Sequence, residues 1–159
     1  MLDRFIRGAT ATKTVRDLLE TKPREVWSTS PRSKVFDALK LMSDKNIGAL
    51  MVMDERGNVA GIISERDYAR KVILLGKFSR KTAVEEIMTP VSHLFCVSPK
   101  NTVEECMILM TRKQIRHLPV FEAGRLLGII SIGDVVKSVI AEKEYLIDQL
   151  SNYNNGRCM

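Results

Sequence analysis

Two short stretches carry side chains whose type and spacing could bind a ligand. Ser64-Glu65-Arg66-Asp67 and Ser131-Ile132-Gly133-Asp134 each set a hydroxyl three residues ahead of a carboxylate, directly after an apolar run. That spacing is a helix-capping arrangement. The serine oxygen accepts from a first-turn N–H, and the acid reaches back to the serine's own N–H. Capping alone explains the pattern, because an acid at that end also meets the positive pole of the helix dipole. The same geometry can do more. A helix N-terminus attracts anions, and an acid beside it can accept hydrogen bonds from the vicinal hydroxyls of a ribose.

Catalytic chemistry has little to work with. His93 and His117 are the only histidines, and HExxH, GxSxG, Walker A and paired CxxC motifs are all absent. Cys106 and His117 could be imagined as nucleophile and base. Cys106, however, shares an apolar helix face with Val103 and Met110, and Cys96 lies in the apolar run Leu94-Phe95-Cys96-Val97, so both read as small core residues. No catalytic residue and no metal ligand is expected. Three scattered cysteines do not make a disulfide framework and suit a reducing compartment.

The 159 residues are 45% hydrophobic and 28% charged, an ordinary globular balance able to bury a core. The net charge of +6 would suit a polyanionic partner, yet the basic residues are scattered among acids. With 6% aromatics and no basic stripe, a nucleic-acid-binding accessory role is an alternative rather than the main reading. No apolar run reaches the roughly 20 residues of a membrane span. The opening MLDRFIRGATATKT has no apolar signal-peptide core, although it is basic and threonine-bearing as transit peptides are; the expectation is cytoplasmic.

The chain repeats itself. Gly57-Asn58-Val59-Ala60-Gly61-Ile62-Ile63-Ser64-Glu65-Arg66-Asp67 aligns with Gly124-Arg125-Leu126-Leu127-Gly128-Ile129-Ile130-Ser131-Ile132-Gly133-Asp134, about 67 residues on. Ser30-Pro31 aligns with Ser98-Pro99, and the one-residue difference in offset falls in a turn. Each copy reads as an extended segment, Glu25–Ser28 or Leu94–Val97, then a helix, a hairpin and a second helix. Ser33 and Asn101 are the aligned N-cap candidates. The first helix's apolar face is Val35, Leu39 and Met42, or Val103, Met107 and Met110. The hairpin strands are Ala49–Met53 with Val59–Ile63, and Leu118–Phe121 with Leu126–Ile130. Short helical lead-ins, Val15–Leu19 and Val84–Met88, precede the copies. The expected boundaries are an N-terminal extension over 1–13, a first repeat over 14–75, a linker over 76–82, a second repeat over 83–142, and a helical extension with a polar, frayed tail over 143–159. The fold class is α/β (α+β), two β-α-β-β-α repeats packed as a pseudo-two-fold pair.

The duplicated period, Ser-Pro before each first helix, Ile115-Arg116-His117-Leu118-Pro119-Val120, and G-h-h-S-x-x-D in both halves together resemble the CBS domain pair, or Bateman module, from about Thr14 to Ala141. The stretch from Ser64 to Lys71 looks like stand-alone CBS-pair proteins of bacteria and plant organelles.

The resemblance implies a non-catalytic regulatory module that binds an adenine nucleotide, AMP first and NAD(H) second, and reports energy or redox state to a regulated partner. ADP, ATP and S-adenosylmethionine present the same adenosine group. It implies one cleft using Ser30, Val35, Ile47, Gly48, Ile129, Ser131, Gly133 and Asp134, with Ile47 and Ile129 sandwiching the purine. The second cleft would use Ser64, Asp67, Ser98, Val103 and Ile115. Arg116 and His117 stand where the family places phosphate-binding cations, and arginine's planar fork suits a phosphate. The first repeat has Gly48 and Ala49 there, so the clefts differ in charge. The resemblance also implies a homodimer, which the apolar residues Val139, Leu146, Ile147 and Leu150 of the long last helix favour. A scaffold without ligand is the other alternative.

Overall fold

A computed structural model describes residues 12–154. The expected 1–13 extension and the end of the expected tail therefore lie largely outside the described residues. The elements in chain order are α1 (Val15–Glu20), β1 (Ser28–Thr29), α2 (Val35–Lys45), β2 (Ala49–Met53), β3 (Val59–Ser64), α3 (Glu65–Lys71), α4 (Val84–Ile87), β4 (Thr89–Pro90), α5 (Val103–Lys113), β5 (His117–Glu122), β6 (Arg125–Ser131) and α6 (Ile132–Asn154). The mixed α/β architecture and the repeated element order are those read from the sequence.

The chain forms two compact units. One comprises Glu25–Phe95; the other joins the segment up to Arg24 to the segment from Cys96 onward. We call them the first-repeat and second-repeat units. In the first-repeat unit, β1 runs parallel to β2, and β2, β3 and β4 follow antiparallel in that order. In the second-repeat unit, β5 and β6 form a hairpin whose two-residue turn puts Ala123 and Gly124 at positive φ. Two successive positive φ values give a turn whose twist matches that of the strands.

Each lead-in helix packs in the unit built by the other repeat. Val15 and Leu18 of α1 are buried with Val103, Met110, Leu118 and Ile130. Val84 and Ile87 of α4 are buried with Val35, Met42, Leu50 and Ile63. Chain order had put each lead-in with the repeat it precedes. Reciprocal backbone bonds fix the exchange. Val15 N–H donates to Asn101 O and Val103 N–H to Lys13 O; likewise Val84 N–H donates to Ser33 O and Val35 N–H to Thr82 O. A six-residue helix is marginal alone. Burying its valine and leucine, at about 1.5–3 kcal/mol each, holds it in place.

Several local readings need correction. The caps of α2 and α5 lie one residue later than Ser33 and Asn101. Thr102 makes the capping box with Glu105, while Lys34 caps α2 with no side-chain bond. Ser33 Oγ instead pairs with Ser30 Oγ, and Asn101 Oδ1 takes the Ser98 N–H. The buried face of α5 is Val103, Cys106 and Met110; Met107 is exposed. Leu94–Val97 is not a strand. Val97 alone bridges Val120, and Cys96 is exposed, so it is no core residue. On α6, Val139 packs against the core; Val136 and Ile140 join Leu146, Ile147 and Leu150 on the exposed side.

The glycine of G-h-h-S explains how the lead-ins fit. A Cβ on Gly61 would lie 2.3 Å from Thr89 O, the backbone just after α4. On Gly128 it would lie 2.9 Å from Leu19 Cδ2 of α1. A carbonyl in a paired strand cannot yield, whereas a leucine tip can rotate. Gly61→Ala should therefore destabilise by about 1–3 kcal/mol, the range for overpacking, and Gly128→Ala by distinctly less. Urea unfolding of the two variants checks the order; equal losses would contradict it.

Candidate functional site

The two Ser-x-x-Asp stretches end β3 and β6 and start α3 and α6. At the first, Ser64 N–H and Oγ–H donate to Asp67 Oδ2 at 2.9 and 3.1 Å, and Asp67 N–H points to Ser64 Oγ at 3.4 Å. At the second, Ser131 N–H donates to Asp134 Oδ2 at 2.7 Å, and Asp134 N–H donates to Ser131 Oγ at 3.2 Å. The capping function is thus present in both. The preceding strand also contributes, since Gly48 O accepts from Glu65 N–H and Arg116 O accepts from Ile132 N–H.

Each carboxylate also holds a lysine. Lys71 Nζ, one turn along α3, donates to Asp67 Oδ1 at 3.0 Å and to Ile87 O, at the end of the lead-in α4, at 2.8 Å. Lys22 Nζ, just past the lead-in α1, donates to Asp134 Oδ2 at 2.6 Å and to Ile129 O at 2.7 Å. The aspartates are mostly buried, with side chains 14% and 18% exposed, while the lysines keep contact with solvent. Burial works to raise the Asp134 pKa. The Lys22 ammonium and the bonds from Ser131 outweigh it, and the carboxyl titrates below its ordinary 3.8. Asp134 is therefore an ionised acceptor at neutral pH, oriented by its neighbours.

Sequence reasoning missed Lys22. It lies 112 residues from Asp134, in a segment with no equivalent cation at the start of the other repeat. Lys71 stood in the recognised stretch, four residues from Asp67 on one helix, the spacing that brings side chains together.

The remaining expected site residues divide between the units. Ser30, Val35, Ile47 and Gly48 lie with Asp67 and Ser64; Ser98, Val103, Ile115, Arg116, His117, Ile129 and Gly133 lie with Asp134 and Ser131. Ile47 and Ile115 occupy matching places, each following a residue at left-handed φ, Asn46 or Gln114, and donating its N–H to Met42 O or Met110 O. This wrapped helix end satisfies carbonyls left over by the last turn. Val35 and Val103 are buried in their cores. Arg116 is exposed, and half-buried His117 pairs across the hairpin with Ser131. Burial pushes the Cys106 thiol up to about 11, with Glu105 adding to it, so it makes a poor nucleophile. Among the described residues, no cluster of His, Cys, Asp or Glu could hold a metal ion, and no helix is long and apolar enough to cross a membrane.

A swapped pair of small α/β units, each with a capped carboxylate at a strand-to-helix junction, is the architecture of a tandem regulatory module. The CBS domain family matches twice, over residues 14–73 and 84–141, and the chain belongs to that family. It is similar to the mitochondrial CBS domain-containing protein CBSX3 of Arabidopsis thaliana, at 39% identity across 90% of this chain and 72% of that one. It also resembles a solved CBS-domain protein from Burkholderia ambifaria, with 49% identity, a TM-score of 0.77, and coverage of 81% of this chain and 95% of the other. The CBS domain pair of protein MJ0100, solved with 5′-methylthioadenosine and S-adenosyl-L-methionine, matches at 26% identity and a TM-score of 0.70, across 82% of this chain and 98% of that one. CBS pairs are in general regulatory modules.

The lowered pKa of Asp134 sets a pH dependence. The folded value lies below the ordinary 3.8, so its contribution to stability is complete above that pH and fades as pH falls through the folded value. Asp134→Asn keeps a cap acceptor and loses the charge. The stability gap between wild type and this variant should be constant from pH 7 to 5 and close below about pH 4. Urea unfolding across that range tests it, and a gap that does not change with pH would contradict it.

Proposed function

We propose that the chain is a non-catalytic sensor that binds an adenine nucleotide, AMP first and NAD(H) second, and passes its occupancy to a regulated partner. The observation that carries this is the ionised, inward-held carboxylate of Asp134 at the start of a 23-residue helix, with an ammonium beside it. A ribose offers two hydroxyl donors to such an acceptor. The MJ0100 pair, crystallised with two adenosine-bearing molecules, supports the ligand class. Ser131, Gly133 and Ile129 line the same junction, with Ser64 and Asp67 as its counterpart. Arg116 and His117, beside Ser131 in sequence register, are the proposed phosphate contacts. Ser30, Val35, Ile47, Gly48, Ser98, Val103 and Ile115 remain the proposed surroundings of the base and sugar. Cytoplasm is the proposed compartment, with an organelle matrix as the alternative that the mitochondrial relative raises.

Thermal shift with AMP, NAD and adenosine tests the reading, because a ligand of the native state alone raises stability. Asp134→Ala should then cost about 1.5–3 kcal/mol of AMP binding, the range for hydrogen bonds to a charged group. No shift with any of the three would favour a ligand-free scaffold.

We also propose that two copies associate through α6. Val136, Ile140, Leu146, Ile147 and Leu150 are all exposed along it, a patch that favours self-association. Light scattering should report a dimer at micromolar concentration, and Ile147→Glu with Leu150→Glu should give a monomer. A monomeric wild type would contradict this.

A further inference from the structure

The two carboxylates are not equally open to a diol. An ionised carboxylate offers about four lone-pair positions. In its own unit Asp67 receives three donors: the Ser64 N–H and Oγ–H on Oδ2, and the Lys71 ammonium on Oδ1. Asp134 receives two donors, and both fall on Oδ2: the Ser131 N–H and the Lys22 ammonium. Oδ1 of Asp134 therefore keeps both lone pairs, while Asp67 has one position left, on the oxygen that Lys71 already holds.

The difference comes from the direction in which each lysine arrives. Lys71 stands on the same helix as Asp67, four residues on, and reaches the outer oxygen from the helix side. Lys22 arrives from the strand side, where the Ile129 carbonyl fixes its ammonium at 2.7 Å. From there it meets the oxygen that already caps Ser131. Matching motifs thus end in different states, because the place that corresponds to Lys71 in the second repeat is Ser138, a buried residue without a charge.

We infer that Lys22 and Lys71 set the ligand stoichiometry: Lys22 leaves Asp134 open to both hydroxyls of a ribose, and Lys71 closes Asp67 to them. This rests on the adenosine-binding reading above and adds which of the two junctions does the binding. A ribose at Asp134 places both hydroxyl protons on Oδ1 and displaces nothing. A ribose at Asp67 has to displace Lys71 from Oδ1, and with it the Lys71 bond to Ile87 O that ties α3 to the lead-in α4.

The test is calorimetric titration of adenosine, which lacks phosphate and so reads the sugar end alone. Wild type should bind one adenosine per chain. 2′-Deoxyadenosine should bind at least tenfold more weakly. Asp134→Asn should lose the binding, and Asp67→Asn should keep it. Lys71→Met should admit a second adenosine, which the double variant Lys71→Met/Asp67→Asn should lose again. Thermal unfolding of each variant checks that it is folded, and Lys71→Met keeps the aliphatic stem of the lysine. Two equivalent sites in the wild type, or binding lost in Asp67→Asn and kept in Asp134→Asn, would overturn the inference while leaving the adenosine-binding reading intact. No adenosine bound by the wild type or by Lys71→Met would overturn both.

Discussion

Each core in this protein closes on a short helix delivered from elsewhere in the chain, and the missing side chain at Gly61 and Gly128 is what admits it. Without that approach, Val15 and Leu18 would have no core to enter, and neither would Val84 and Ile87. Each unit would then keep an open apolar face, and a repeat of this size is already marginal in burial. The lead-ins also supply the polar groups next to the carboxylates: Lys22 at one junction and the Ile87 carbonyl at the other. Fold and site therefore share one constraint.

The capping carboxylates show how a structural device becomes a binding device without changing its geometry. A cap uses one oxygen and leaves the other. At Asp134 the lysine reinforces the oxygen already in use, which keeps the group ionised and aimed. At Asp67 the lysine takes the second oxygen, and the junction becomes a closed ion pair joining α3 to α4. The energetic difference between such arrangements is small, because partly exposed pairs contribute little to stability. The difference in what each can accept is large, because it is a matter of free lone pairs.

Much of the architecture was legible in the sequence because it is repeated. The hairpins Ala49–Met53 with Val59–Ser64 and His117–Glu122 with Arg125–Ser131 come out within a residue or so of their sequence reading. Alternation and turn residues are local signals. Ser64 and Ser131 were readable as caps for the same reason. Thr102 was missed because Asn101 is an equally good capping residue by type; it took the Ser98 N–H, and the capping box fell to its neighbour. Cys96 was misread because apolar composition says nothing of depth, and the segment from Leu94 pairs only at Val97. The exchange of lead-ins and the role of Lys22 could not be read at all. Both depend on residues more than a hundred positions apart, and sequence periodicity has no term for that distance.

The central claim is that this chain recognises adenosine through the free oxygen of Asp134. A crystal structure of the protein soaked in adenosine tests it most directly. The account predicts a ribose with both hydroxyl oxygens within hydrogen-bond distance of Asp134 Oδ1, and Lys22 still on Oδ2 beside the Ile129 carbonyl. A ribose seated on Asp67 with Asp134 unoccupied, or adenosine bound with its hydroxyls turned away from both carboxylates, would contradict it.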